Sequence, residues 1–500
     1  MIQKLKIFFG KESILIFLLV SIGFAIRLFF LLNSDDFRGE LPMTRVYAAM
    51  NFLNNLDIKK IISSAYDFGH ILLLTFSLKI FNDPSLSPRM TSLFFGSLFI
   101  IPFFYFIKNN FNKKTAVVSA IILIAYSLHI NLSIISLAEI PAAFFLFLTF
   151  CFIIYPQQII FSYPKIIFNA FFLSIAFLLR SEMIIFTLLI SGYIWNFDKK
   201  KGLLFLLMSL IIPFWWAFLN WKVSGDFFWR LRDSNIASVE VTSLGKIFHN
   251  NLTLWQKIIS LPYMISFSLS IPFVIVSLLG MIKELKNRTN TFIIFSFCTL
   301  FFIFSYKLIN NSMTPLSRYA LTGSLISIPF AVSFFFSLLD QISSKNFIRQ
   351  FIIIFFILIF NFYSLNCAWQ KKAKLPLAIK KLSQYLRGTI SSQDKIIIDQ
   401  DIWSLYLNNI LVQSRLNPSQ ILVVRDKKGN KNLQKRRQEI LNYITQKTPT
   451  YLLFCSKGYL PQLFNFSLIS FQEKIFAADL RLLKTFRIDK EFSYFLYKFQ

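Results

Sequence analysis

Charged side chains are scarce in this chain. Of its 500 residues only 15% are Asp, Glu, Lys or Arg, while 55% are hydrophobic and 18% aromatic. A soluble protein carries about 25% charged residues, so a water-soluble globular enzyme is excluded and a polytopic membrane protein is expected. The mean hydropathy of +0.57 agrees. Acids are the rarer sign, 24 against 53 Lys and Arg, which leaves a formal charge of +29. Such an excess can serve nucleic acid, but no zinc-finger spacing and no RNA-recognition signature accompanies it. Basic loops in a membrane protein instead set topology and meet lipid headgroups, so no nucleic-acid partner is expected. Of only four cysteines, Cys151 and Cys298 fall inside apolar runs, which rules out a disulfide framework. The three histidines form no metal-binding spacing. Neither a G-x-x-x-x-G-K-[ST] loop nor a G-x-S-x-G elbow is present, which argues against nucleotide hydrolysis and serine-hydrolase chemistry.

What the chain has is long apolar runs. A helix needs roughly 20 apolar residues to cross a bilayer, somewhat fewer where the bilayer thins. That ruler marks Ser13–Leu32, Met90–Ile107, Thr115–Ser136, Ile140–Tyr155, Ile166–Leu179 and Met183–Asn196. It also marks Leu203–Leu219, Ile258–Ile282, Thr291–Tyr306, Tyr319–Leu339 and Phe351–Leu365, about eleven crossings in all. The run Gly69–Phe81 is short and carries His70 and Lys79. If it lies at the interface instead of crossing, the clusters Lys108–Lys114, Asp198–Lys201, Lys283–Arg288 and Lys345–Arg349 all share one side with the N-terminal lysines. By the positive-inside rule that side is the cytoplasm, and Gly69–Phe81 is expected to be interfacial. The first run ends in NSDDF without a small-residue cleavage site, so it is expected to be a retained helix.

This topology predicts an all-α membrane domain over residues 1–366, with a first extracytoplasmic loop at 33–89. Residues 367–500 are mixed in polarity, with strand-like runs at Lys395–Ile398 and Ile421–Val424 and a basic solvated segment at Lys427–Arg437. They predict one small extracytoplasmic α/β domain.

The polar residues of the outer face are the candidates for chemistry. In NSDDFRGELPMTRVYAAMNFL (33–53), Asp35, Asp36 and Glu40 share eleven residues with Arg38 and Arg45. Asp35 and Asp36 suit a helix stop followed by an N-cap, and Glu40 suits the first turn of the amphipathic stretch Met43–Leu53. The competing reading is that one of the three is a general base. Glu139, in LSIISLAEIPAAFFLFL, stands at the edge of an apolar run, where an acid is costly unless used. Pro141 alternatively marks it as a helix start. Arg180 and Glu182, in AFLLRSEMIIF, and Arg318 and Tyr319, in MTPLSRYAL, sit at outer junctions. Each Arg is either a loop ion-pair partner or a phosphate grip suited to its bidentate fork. His70 and His249 are expected to be hydrogen-bonded scaffold.

Taken in order, these segments resemble the C-type (GT-C) glycosyltransferases, which use polyprenyl-phosphate sugars. GELPMTRVYAAMNFL is similar to the family's first-loop acidic context, with Glu40 in the acidic place and Arg45 and Tyr47 following. The stretch FGHILLLTFSLKIFNDPSLSPRMTSLFFGSLFIIP resembles its interfacial helix and second crossing, with Arg89 at the usual Arg. SIISLAEIPAAFFLF resembles its second acidic site, here Glu139, and LLRSEMIIF and SRYALTGSLISIPF its later signatures. The first-loop acid in that family is often Asp, so Asp35 and Asp36 compete with Glu40 for the role.

The resemblance implies an inverting transfer of a hexosyl or pentosyl group from a polyprenyl-phosphate-linked donor to a protein, lipid or glycan acceptor, outside the cell (inner) membrane. Glu40, Asp36, Asp35 and Glu139 are then the catalytic candidates, and Arg180, Arg318 and Arg45 hold the donor phosphate. His70, Glu182 and Tyr319 line the substrate pocket. No cofactor is implied beyond a divalent cation, for which Glu139 with Glu40 is the candidate pair. The alternative reading is a transporter or flippase for a lipid-linked saccharide, which calls for charged or broken helices near the bilayer midplane.

Overall fold

The computed structural model describes residues 11–35, 41–56, 67–153, 162–227, 253–310, 316–342, 346–370, 374–399, 406–416, 420–424, 451–456, 480–488 and 492–499. The chain splits into two compact units. The first comprises Met1–Ser34, Asp57–Leu73 and Arg89–Lys372. The second comprises Asp35–Leu56, Leu74–Pro88 and Ala373–Gln500.

All regular secondary structure described in the first unit is helical, and each of the eleven apolar runs contains helix. Among the described residues six helices are long and apolar enough to cross a membrane, or up to eight if each bent pair is one span. This makes the chain a multi-pass membrane protein, and by length and composition the count falls short of confirming the eleven crossings that hydropathy suggests. Two physical causes account for the difference. Glu139–Ile153, Tyr163–Leu179 and Ser181–Trp195 are shorter than a full span. Two runs that read as continuous are broken. Lys113–Ala125 and Ser127–Ser133 meet at a 60° bend, because Tyr126 takes an extended backbone (φ −64°, ψ 114°). Leu254–Leu269 and Ile271–Glu284 are separated by Ser270, whose φ of 80° no helix accommodates.

The core of this unit is aromatic. Phe99, Phe103, Phe106, Phe147, Phe150 and Phe186 are buried, and Phe99 meets Phe147 edge-on at 5.1 Å. Offset and edge contacts of this kind add about 0.5–1.5 kcal/mol each beyond area burial. Helices Ile271–Glu284 and Leu321–Ile342 pack where Gly280 leaves room, since a Cβ there would fall on the carbonyl of Phe330.

Among the described residues of the second unit five strands form a mixed sheet: β1 (Ile396–Asp399), β2 (Ile421–Val424), β3 (Tyr451–Cys455), β4 (Leu480–Arg487) and β5 (Ser493–Phe499), in the order β2-β1-β3-β5-β4. β1 runs parallel to β2 and β3, while β5 is antiparallel to β3 and β4. Helix Leu377–Thr389 buries Ile379, Leu382 and Leu386 in the same core as Ile396, Ile398 and Leu453. That is the α/β character expected of the C-terminal region. The helix Asn346–Gln370 runs through position 366, and the second unit's last segment begins at Ala373. The same unit takes in the helix Leu41–Asn55, whose Tyr47 packs on its core. The basic segment Lys427–Arg437 lies outside the described residues.

Gly280→Val is expected to overpack the contact with Phe330 and to cost about 1–3 kcal/mol, seen as a lower thermal midpoint in detergent. An unchanged midpoint would mean that the two helices are free to separate.

Candidate active site

Three irregular corners of the first unit bring the site together. The helix Tyr163–Leu179 ends at Arg180, which has an extended backbone and donates its N–H to Ala176 O at 2.8 Å. A single 3-10 turn, Ser181–Met183, then presents Glu182. A second 3-10 turn, Ser317–Ala320, carries Arg318 and Tyr319 at the entrance to Leu321–Ile342. Glu139 opens the helix Glu139–Ile153, where Pro141 fits the first turn and the helix dipole favours an acid.

These side chains meet. Arg180 Nη1 donates to Glu139 Oε1. The other edge of the same guanidinium takes Glu182 bidentately, Nη2 to Oε1 at 2.7 Å and Nε to Oε2 at 3.3 Å. Arg318 Nε lies 3.5 Å from Glu139 Oε1, so one carboxylate oxygen serves two arginines. Both guanidinium groups also stand over the Tyr319 ring, with Arg180 Cζ at 5.4 Å and Arg318 Cζ at 5.1 Å from its centre. Contacts of this geometry add cation–π attraction to the ion pairs. Arg318 Nη2 donates to Tyr319 Oη at 3.2 Å.

Burial ranks the two acids. The Glu139 side chain is 3% exposed and the Glu182 side chain 25%. For Glu182, in its turn between helices, burial alone would raise the carboxyl. The charge and hydrogen bonds of Arg180 outweigh that effect and hold it at about 2. A cavity of about 30 Å³ lies among Glu139, Arg180, Glu182, Arg318, Tyr319 and Phe304, with room for about one water molecule.

The segment leading into Glu139 is held by two further arginines. Arg89 Nε donates to Ile134 O at 2.9 Å, and its Nη2 donates to Leu31 O at 2.9 Å and Ser34 O at 3.0 Å. Arg27, fully buried, donates from Nη1 to Gly23 O at 2.8 Å and from Nη2 to His129 Nδ1 at 2.7 Å. Its Nε reaches Ser133 Oγ at 3.4 Å. Arg27 and His129 lie inside apolar runs, away from the loops and corners where charged candidates stand out in the sequence. The signal for Arg27 is a charge inside the apolar run FAIRLFF, which is costly unless fully hydrogen-bonded.

Of the residues singled out from the sequence, Glu139, Arg180, Glu182, Arg318 and Tyr319 therefore share one site. His70 is buried in the helix Phe68–Phe81 and does not line that cavity. Asp35 belongs to the second unit, where it accepts from Leu375 N–H at 2.9 Å and pairs with Lys380 at 2.8 Å. Arg45 is buried in that unit too. Asp36, Arg38, Glu40 and His249 lie outside the described residues. Among the described residues no three of His, Cys, Asp or Glu converge as metal ligands.

Glu139→Ala would leave two guanidinium groups without their shared acid. It is expected to cost about 3–5 kcal/mol of stability, whereas Glu182→Ala, partly exposed, costs clearly less. Thermal unfolding of the two purified variants distinguishes them, and equal losses would contradict the ranking.

Comparison with protein-family models and with curated protein sequences gives no match. Solved structures do match in fold. ArnT from Cupriavidus metallidurans bound to undecaprenyl phosphate superposes with a TM-score of 0.62 at 9% identity, over 96% of this chain and 97% of that one. The apo state of ArnT gives 0.61, again at 9% identity, over 98% of each chain. The archaeal oligosaccharyltransferase AglB from Archaeoglobus fulgidus, in complex with an inhibitory peptide and a dolichol-phosphate, gives 0.52 at 11% identity. That match covers 88% of this chain and 68% of AglB. At these identities the likeness is one of fold: this chain shares the fold of ArnT and, over 88% of its length, that of AglB.

Proposed function

We propose that this protein is an inverting glycosyltransferase that moves a sugar from a polyprenyl-phosphate-linked donor to an acceptor on the extracytoplasmic face of the membrane. The observation that carries the reading is the convergence of Arg180 and Arg318 on one cavity at the ends of apolar helices. Two guanidinium groups at helix ends suit a phosphate whose lipid tail lies among the helices. Two of the solved structures of like fold hold undecaprenyl phosphate and a dolichol-phosphate, which supports the same class of donor here.

In this reading the arginines hold the donor phosphate and meet the charge that develops on it as the glycosidic C–O bond breaks. Fixed cations of this kind usually supply the largest catalytic term. Glu139 keeps both guanidinium groups in place, and Tyr319 gives them a flat apolar support. The acceptor nucleophile attacks the anomeric carbon from the opposite face, and a first-loop acid, Glu40 first, takes its proton. A divalent cation would have to share Glu139 with the first-loop acids. The two guanidinium groups beside Glu139 do not suit it, so activity is expected to survive a chelator.

A flippase for the same lipid-linked saccharide is the alternative. The Arg–Glu cluster at helix ends favours transfer at that surface over passage through the bilayer.

The test is release of sugar from a radiolabelled polyprenyl-phosphate donor by membranes containing the protein. Transfer with release of free lipid phosphate is expected, and Arg318→Ala is expected to lower it at least 100-fold. Glu40→Gln should lower it by about 10²–10⁴-fold, as loss of a general base does. Movement of intact donor across vesicles without product would establish the flippase instead.

A further inference from the structure

All three nitrogens of Arg180 are engaged, three of its five N–H donors. Nη1 is engaged by Glu139, and Nη2 and Nε by Glu182. An anion that needs the fork of Arg180 must displace one of these acids, because the cavity between them has a volume of only about 30 Å³. Arg318 is in the opposite condition. Its Nε stands in ion-pair range of Glu139 Oε1 at 3.5 Å but makes no hydrogen bond among the described residues, and its one hydrogen bond there is from Nη2 to Tyr319 Oη at 3.2 Å. An approaching anion therefore meets Arg318 first.

The two acids are not equally able to leave. Glu139 is 3% exposed and shared by both arginines, so its departure would strand two cations. Glu182 is 25% exposed, touches only Arg180 of the pair, and sits on a single 3-10 turn, not on a helix face. The ammonium of Lys307 lies within electrostatic reach of its carboxylate and offers a second counter-charge. Charge counting points the same way. Among the four groups in direct contact, two arginines against Glu139 and Glu182, the charges sum to zero. With Glu182 withdrawn the site carries one positive charge, which complements the single negative charge of a phosphodiester.

We infer that Glu182 is the specificity-determining residue of this site: an exchangeable occupant of Arg180 that a phosphodiester, seated first on Arg318, displaces toward solvent. With no anion bound, Glu182 keeps Arg180 neutralised and correctly aimed. When the anion departs, the bidentate pair re-forms. Neutral and single-oxygen ligands cannot match the bidentate grip and are refused, because the gain from a contact must exceed the pair it breaks. This inference rests on the anion-binding part of the proposed function and not on the transfer step.

The experiment is calorimetric titration of the detergent-purified full chain with inorganic phosphate and, separately, with dimethyl phosphate. Glu182→Gln removes the competing charge and is expected to tighten dimethyl phosphate by about tenfold or more relative to the unaltered protein. Glu182→Ala, a second variant in case the first folds poorly, should tighten it likewise. Arg318→Ala is expected to abolish binding of both anions. Unchanged or weaker binding to the Glu182 variants would overturn the inference, as would binding that survives Arg318→Ala. Tightening in a protein that transfers no sugar keeps this inference and removes the transferase reading. Sugar transfer with no change in anion affinity does the reverse.

Discussion

One carboxylate oxygen, Glu139 Oε1, receives both Arg180 and Arg318, and the site depends on that sharing. Two guanidinium groups side by side repel, and neither would stay at a low-dielectric helix end without an acid between them. The acid in turn tolerates its near-complete burial only because two cations and a helix N-terminus face it. Glu182 and the ring of Tyr319 complete the arrangement from the sides. The result is a neutral cluster that can become a cationic one by losing its most exposed member.

The surrounding fold exists to hold three corners in register. Each site residue sits where regular helix gives way: a C-terminus with a 3-10 turn, the start of a short helix, and a 3-10 turn before a long helix. Corners are the places where a membrane helix can present a charge without stranding it in lipid. Arg27 and Arg89 do the corresponding work inside. They satisfy the carbonyls and side chains around the broken segment before Glu139, where backbone has left the helix and no water would otherwise meet it. The bend at Tyr126 is tolerated for the same reason, with its hydroxyl donating to Ser268 Oγ at 2.8 Å.

Much of the membrane unit was legible in the sequence, since hydrophobic runs report helix wherever lipid or an apolar core demands it. All eleven runs contain helix. How many cross was not legible, because window hydropathy is blind to a 60° bend and cannot tell a short buried helix from a spanning one. The mixed α/β character of the C-terminal region was legible from Ile421–Val424 and its neighbours. The membership of Leu41–Asn55 in that unit was not, because it is a tertiary contact between segments more than 300 residues apart.

For the site, composition and position along the chain were enough to mark Glu139, Arg180, Glu182, Arg318 and Tyr319. Charges at the margins of apolar runs carry a solvation cost that solubility alone does not explain. The sequence by itself thus determined that the chain is a membrane protein, that it is helical, and which side chains bear charge at helix ends. Only the tertiary structure decided that two arginines share one acid, that Arg180 is already occupied, and that Asp35 pairs with Lys380. The physical reason is that burial cost belongs to a single residue and can be read from its neighbours in the chain. Pairing belongs to two residues, and here the partners are brought together by packing of helices far apart in sequence.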